Sequence, residues 1–266
     1  MTREIPYWHV DAFADRPFAG NQAAVMLLEA WPDDAVLQAI GAENMFAETA
    51  FLVPDPSGEA DWELRWFTPA CEVALCGHAT LAAGHVLLGR EPDRSAVSFR
   101  TRKGGVLEVR RDGAGYVLGL PAIPTEPGEW PDAVAALGWA VQAVYRNPAG
   151  YAVFLYEDET TIHELQPDMS ALVALGGDTQ FIATAPGDAT DVVSRVFVPG
   201  AGVDEDSVTG SAHAVLAPFW AKRLGRADFT AFQASQRGGT LACRLEGDRV
   251  WLSGPCVTVV EGVFRL

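Results

Sequence analysis

At 266 residues, 49% of them apolar and 20% charged, the chain has the composition of an ordinary globular protein and the length for two modest cores. Its formal net charge of −16 repels phosphate backbones and anionic lipid, which argues against a nucleic-acid or membrane role. The opening residues contain no export signal, no apolar run reaches bilayer length, and Cys71, Cys76, Cys243 and Cys256 show neither CxxC pairs nor zinc spacing, so a cytoplasmic protein with reduced thiols is expected.

Trp8, Val10 and Ala12 alternate with His9, Asp11 and Phe13, a strand pattern that runs into a turn at Asp15-Arg16-Pro17 and Gly20-Asn21. QAAVMLL at 22–28 reads as a buried strand, and Pro32-Asp33-Asp34 opens a helix with Val36, Leu37 and Ile40 at helical spacing. AETAFLVP at 47–54 and WELRWF at 62–67 read as strands. ATLAAGHVLL at 79–88 is apolar almost all round, which predicts a helix buried on every side, with Gly89 as its stop. SFRTRKGGVLEVRRDGAGYVLGLP reads as antiparallel strands joined at the glycines, with a further turn at Asp112-Gly113. Residues 122–147 are proline-rich and weakly patterned, and the linker and the entry to the second domain are placed there. AHAVLAPFWAKRL at 212–224 is the counterpart of the first buried helix, and Pro218 inside it predicts a kink or a late start.

The two halves match each other. Arg65, Phe67 and Pro69 answer to Arg195, Phe197 and Pro199; Cys76-Gly77 to Thr209-Gly210; Gly104-Gly105 to Gly238-Gly239; and Pro121 to Pro255. A period of half the chain is too long for a solenoid and predicts two similar domains. The expected fold is α+β: domains at 1–121 and 122–266, each a sheet wrapped around a central helix, with the last residues of the chain as candidates to complete the first. Ligand pockets favour domain interfaces, so function is expected where the matched loops meet.

Gly77 and Gly210 each directly precede a buried helix. The first N–H groups of a helix lack internal partners, and the helix dipole favours an anion beside them, so the two starts could clamp a carboxylate. Tight packing alone would also account for each glycine. Glu48 stands just before the apolar run AFLV. If desolvated, its pKa would rise and suit it to general acid/base work; a strand-end glutamate facing water is the commoner case.

VDAFADRPFAGNQAAV near the start, AETAFL at 47–52, FTPACEVALCGHAT at 67–80 and EDSVTGSAHAV at 205–215 together resemble the phenazine-biosynthesis isomerase (PhzF-like) family, a branch of the diaminopimelate-epimerase superfamily. The resemblance covers essentially the whole chain. It implies two barrel-like domains around long helices, no cofactor, and a homodimer. It further implies that Glu48 transfers the proton, that His78 and Asp206 share the catalytic site, and that Asn21, Cys76, Gly77, Thr209, Gly210 and Ser211 line the substrate. The family commonly has proline after the asparagine, where this chain has Gln22.

Two-thiol epimerases of the superfamily use a cysteine on each side. Cys76 falls at the first thiol position, but Thr209 holds the second, and a threonine hydroxyl cannot replace a thiolate as base. Symmetric two-thiol racemisation is therefore not expected. His78 reads otherwise as a helix-cap histidine and Asp206 as a loop carboxylate. His85 lies seven residues after His78 on the same helix face, too far for chelation by one turn, and His9, His163 and His213 have no ligand-like neighbours, so no catalytic metal is indicated. The expected function is cofactor-independent proton transfer on a small carboxylate-bearing metabolite. The alternatives are a racemase, epimerase or dehydratase using Cys76 with Glu48, and a non-catalytic metabolite-binding protein.

Overall fold

The computed structural model describes residues 3–177 and 179–266. The chain forms two compact units, one running to Leu120 and including Ser253–Leu266, the other Pro121–Leu252.

In the first unit β1 (Glu4–Ala12) is flanked by β2 (Asn21–Leu27) on one side and by the C-terminal strand β18 (Cys256–Arg265) on the other, both antiparallel. Helix α1 (Asp34–Asn44) crosses to β3 (Glu48–Pro54), which lies parallel to β2, as a parallel pair requires a crossover. Leu37 and Ile40 are its buried side chains, and the helix ends at Met45 in the left-handed conformation. Strand β4 (Trp62–Phe67) pairs antiparallel with β3 and with the short β5 (Glu72–Val73). Helix α2 (Gly77–Arg90) then crosses to β6 (Ala96–Thr101), parallel to β4, and β7 (Val106–Asp112) and β8 (Gly115–Pro121) complete an antiparallel meander.

Helix α2 is the centre of this unit. It packs against β1, β2, β3, β6, β7 and β18, and every residue from Gly77 to Leu88 except His85 is buried. At Gly84 β7 comes too close for a side chain: a Cβ there would lie 2.4 Å from Val109 Cγ1. Gly89 does not stop the helix. Its conformation stays helical, and the chain turns off one residue later, after Arg90 has placed its guanidinium over the Trp8 ring.

The second unit repeats the pattern. Strands β9 (Glu126–Gly128) and β10 (Ala143–Asn147) are antiparallel, with α3 (Pro131–Leu137) between them. Residues 122–147, where the linker and the entry to the second domain are expected, hold three short elements of this unit. Pro131 occupies the first turn of α3, where a missing N–H costs nothing, and Ala133, Ala136 and Leu137 enter the core. Strand β11 (Tyr151–Leu155) is antiparallel to β10 and parallel to β12 (Gln180–Pro186), with α4 (Glu159–Glu164) and α5 (Met169–Gly176) in the crossover. Strand β13 (Val192–Val198) pairs antiparallel with β12 and with β14 (Val203–Asp206). Helix α6 (Gly210–Leu224) crosses to β15 (Asp228–Gln233), parallel to β13, and β16 (Gly239–Glu246) and β17 (Arg249–Gly254) follow.

Helix α6 starts at Gly210, so Pro218 lies well inside it and marks no late start. Proline cannot bond the carbonyl four residues back. That carbonyl, on Ala214, instead accepts from the Ile123 N–H at 3.1 Å, so the segment entering this unit supplies the missing donor.

The matched arginines do the same task twice. Arg65 forms a two-bond fork to Glu72 (2.7 and 2.8 Å) and lies over the Phe67 ring. Arg195 forms the same fork to Glu205 (2.8 and 2.9 Å) over Phe197. In each unit the fork pins the short strand that leads, four residues on, to the start of the buried helix. Bidentate pairs of this kind fix geometry as well as charge.

Candidate functional site

In the first unit three elements bring polar side chains to the start of α2. Asn21 opens β2, Glu48 opens the parallel β3, and His78 is the second residue of the helix. Asn21 is fixed by the loop before it. Gly20 has a φ of +62°, and a Cβ there would come within 2.1 Å of the Ala12 carbonyl, so glycine is required. The buried Asp11 carboxylate holds the same loop by accepting from the Phe18 N–H at 2.8 Å.

The His78 ring is the hub. Its Nδ1 lies 3.1 Å from Asn21 Nδ2 and 3.6 Å from Cys76 Sγ, and its Nε2 lies 3.1 Å from Glu48 Oε2. The last approach is an ion-pair contact without the angle of a hydrogen bond, so both Nε2 and Oε2 are buried with no aligned hydrogen-bond partner. Burial disfavours the imidazolium, but Cys76 and Glu48 outweigh it and hold the His78 pKa well above 6.5. Burial also pushes the Cys76 thiol up to about 11, so the thiol is neutral near pH 7 and the Glu48 carboxylate is the charge left to support the ring. With the ring neutral, Asn21 donates to Nδ1; on protonation the amide must turn so that its oxygen accepts.

Glu48, Cys76 and His78 also place one donor atom each within 4.8 Å of one another, a spacing that a metal ion could bridge. As arranged, however, Cys76 faces one ring nitrogen of His78 and Glu48 the other, which is a hydrogen-bonding order rather than a chelating one.

In the second unit the start of α6 carries the corresponding cluster. Register identifies the equivalents: Thr49 pairs with Phe67 as Phe181 pairs with Phe197, so Glu48 and Gln180 occupy the same place. Gln180 and Ser211 exchange hydrogen bonds at 3.0 and 3.2 Å, where Glu48 and His78 meet in the first unit. Tyr151 starts the strand parallel to β12, and burial raises its pKa above 10 while the nearby Ser211 hydroxyl acts against that rise. Asp206 ends β14, and its Oδ2 accepts from the Thr209 hydroxyl at 2.7 Å. Buried Gln233 accepts from the Thr209 N–H (2.8 Å) and donates to the Asp206 carbonyl (2.7 Å). His213 Nδ1 donates to the Thr209 carbonyl at 2.8 Å, and burial pushes its pKa down to about 4.

The predicted residues thus fall into two clusters. Asn21, Glu48, Cys76, Gly77 and His78 gather in the first unit, and Asp206, Thr209, Gly210 and Ser211 in the second. Gln180, Tyr151 and Gln233 escaped the sequence reading. A signal for Gln180 existed: ETAFLVP and QFIATAP are equivalent strands, both ending in proline.

Residues 10–262 match the profile of the phenazine biosynthesis-like protein family. An uncharacterized isomerase of Pseudomonas aeruginosa is 46% identical over 266 residues, covering 99% of each chain. The crystal structure of a PhzF-family phenazine biosynthesis protein from Enterococcus faecalis superposes with a TM-score of 0.90 at 40% identity, over 99% of this chain and 100% of that one. A hydroxyproline epimerase from Agrobacterium vitis, only 14% identical, shares the fold at a TM-score of 0.66 over 99% of this chain and 93% of its own. With a family match over nearly its whole length and a similar protein named an isomerase, the chain belongs to the PhzF-type phenazine biosynthesis-like family, an enzyme family of epimerase-like fold.

Proposed function

We propose that this protein is a cofactor-independent isomerase that moves a proton between two carbons of a small carboxylate-bearing metabolite. The observation that carries the reading is the Glu48–His78 contact: two buried polar atoms 3.1 Å apart, one charged pair, neither satisfied by an aligned bond. Glu48 is the base. It removes a proton from a carbon next to a conjugated system and returns it to another carbon of that system, so the protein ends each turnover unchanged. The His78 imidazolium holds the carboxylate in its working orientation and faces the charge that develops on the substrate. The N–H groups at Gly77 and His78, and those at Gly210 and Ser211, hold the substrate carboxylate, with the helix dipoles behind them. Asp206 orients the substrate's amino or hydroxyl group.

The comparison between units supports one base rather than two. Where the first unit has Cys76, Glu48 and His78, the second has Thr209, Gln180 and Ser211, none of which takes a proton near neutral pH. The version in which Cys76 is the base is disfavoured by the rise of its pKa to about 11. The same reading carries a homodimer, which light scattering after size-exclusion chromatography tests directly.

The test is solvent-hydrogen exchange by NMR in deuterated water, with a panel of small amino and hydroxy acids including the dihydro-hydroxyanthranilate type. Wild-type protein is expected to incorporate deuterium at carbon, and Glu48→Gln to lose about 10²–10⁴ of that rate. Near-normal turnover by Glu48→Gln would overturn the role of Glu48. Binding of a panel member without exchange would support the non-catalytic alternative. Dialysis against EDTA is expected to leave the rate unchanged; a metal-dependent rate would reassign Glu48, Cys76 and His78 as ligands.

A further inference from the structure

We infer that Gln233 is a positioning residue for Asp206: through the Thr209 hydroxyl it directs a single, fixed hydrogen onto the Asp206 carboxylate. The inference rests on the proposed role of Asp206, while its geometry stands independently.

Backbone polarity fixes the direction of every bond in the chain. The Thr209 N–H can only donate, so the Gln233 atom it meets at 2.8 Å is the amide oxygen. The Asp206 carbonyl can only accept, so the Gln233 atom 2.7 Å from it is the amide nitrogen. That nitrogen's second hydrogen goes to Thr209 Oγ1 at 3.1 Å. With that hydrogen received, the hydroxyl's own hydrogen is directed to Asp206 Oδ2 at 2.7 Å. His213 Nδ1 and its own backbone N–H hold the Thr209 carbonyl, so each polar group of Thr209 is committed. No freely rotating donor remains between Gln233 and Asp206.

The first unit supplies the control. Thr184, Ser194 and Gln233 form one cross-strand row in the second unit, all completely buried. The row faces α6, because Trp220 donates to Thr184 and Thr209 to Gln233. The equivalent row, one residue before the matched arginine, is Leu52, Leu64 and Thr101 in the first unit. There Thr101 spends its hydroxyl on its own turn, donating to the Gly105 carbonyl and accepting from the Gly104 N–H. The fold is therefore content with leucines at two of these places, and a long amide at the third is not a requirement of the architecture. Burying an amide costs free energy unless all its bonds are made. Gln233 uses both of its amide hydrogens and its oxygen, and uses them on Asp206 and Thr209. Val73 stands in the first unit where Asp206 stands here, in the strand after the Arg–Glu fork, so the carboxylate and the amide that serves it occur together in one unit only.

The experiment follows the Asp206 carboxyl carbon by ¹³C NMR in protein labelled at aspartate, the signal being identified by its loss in Asp206→Asn. Gln233→Met keeps length and removes the donors. Its Asp206 signal is expected to titrate about one pH unit higher than in wild type, a tenfold gain in proton affinity. Gln233→Glu keeps the acceptor for the Thr209 N–H and regains a donor only when its new carboxyl is protonated. Its exchange rate on the substrate found by the panel should approach wild type on the acid side and fall to the Gln233→Met level on the alkaline side. Identical Asp206 titration in all three proteins would overturn the inference. Should Gln233→Met not fold, Gln233→Glu decides alone: a pH profile parallel to wild type would refute the relay. If wild-type protein exchanges nothing, the functional reading fails, while the NMR titration still decides whether Gln233 positions Asp206.

Discussion

Glu48 and Gln180 begin equivalent strands and meet equivalent helix starts, yet only one of them can carry a proton. Each is tied to the second residue of its helix, His78 or Ser211, and each helix is pinned by an Arg–Glu fork. The difference between the units is thus chemical rather than architectural. If Gln180 and Ser211 only hold substrate, Gln180→Ala should raise KM about tenfold with kcat nearly unchanged, because the lost contact serves ground state and transition state alike. A matching fall in kcat, measured under saturating substrate, would instead give Gln180 a part in the chemistry. His78 makes a pH prediction. Its pKa is held above 6.5 against burial, with Glu48 as the charge beside it while the Cys76 thiol is neutral, so the imidazolium persists through neutral pH and is lost on the alkaline side. Wild type should therefore show an alkaline limb in kcat/KM, and His78→Gln should remove that limb while lowering the rate by about 10²-fold. Glu48, His78 and Asp206 were legible as candidates because they lie within recognisable motifs. Gln233 was not, because its meaning depends on which residue stands opposite Ser194 in the sheet, and register is not written in local composition.

At the scale of elements, strands and buried helices were legible wherever apolar periodicity was strong. WELRWF is β4 to the residue, and the all-round apolar stretch at 79–88 is the centre of α2. Within residues 122–147 no separate elements were legible, for the converse reason. Their strands and helix are short, rich in proline, and exposed on one side, so their order comes from packing of Ala133, Ala136 and Leu137 rather than from a pattern in the sequence. Gly84 illustrates how tightly α2 is held. A methyl group there would meet Val109, itself fully buried, at 2.4 Å. Gly84→Ala should cost about 1–3 kcal/mol in urea unfolding, since overpacking outweighs the better helix propensity of alanine. Adding Val109→Ala should return part of that loss, a coupling that a double-mutant cycle reads directly. Additive losses would mean that the helix and β7 can part without cost.

For the whole molecule, two buried histidines pull stability in opposite directions with pH. His213 is buried and neutral, its pKa pushed down by burial to about 4 from 6.5. Between those values the unfolded chain binds a proton that the native state refuses, so stability is full above 6.5 and falls as pH drops toward 4. His78 is raised above 6.5, so its contribution is full below 6.5 and is lost as pH rises through its folded value. Carboxylates held low by arginine partners, such as Glu72 beside Arg65, lose their contribution only below their usual range near 4.5, so the His213 window can be read separately. Wild type should lose about 2 kcal/mol between pH 6.5 and about pH 5, from 1.4 kcal/mol per unit. His213→Asn, which keeps a donor for the Thr209 carbonyl but cannot titrate, should be less stable at pH 7 and nearly flat across the same interval. Urea unfolding at the two pH values checks this, and an undiminished acid loss in His213→Asn would place its source elsewhere. Because His213 holds the carbonyl of Thr209, the same variant also reports whether that hold reaches the Asp206 loop: exchange activity at neutral pH should fall only modestly, since the Gln233 bonds to Thr209 remain.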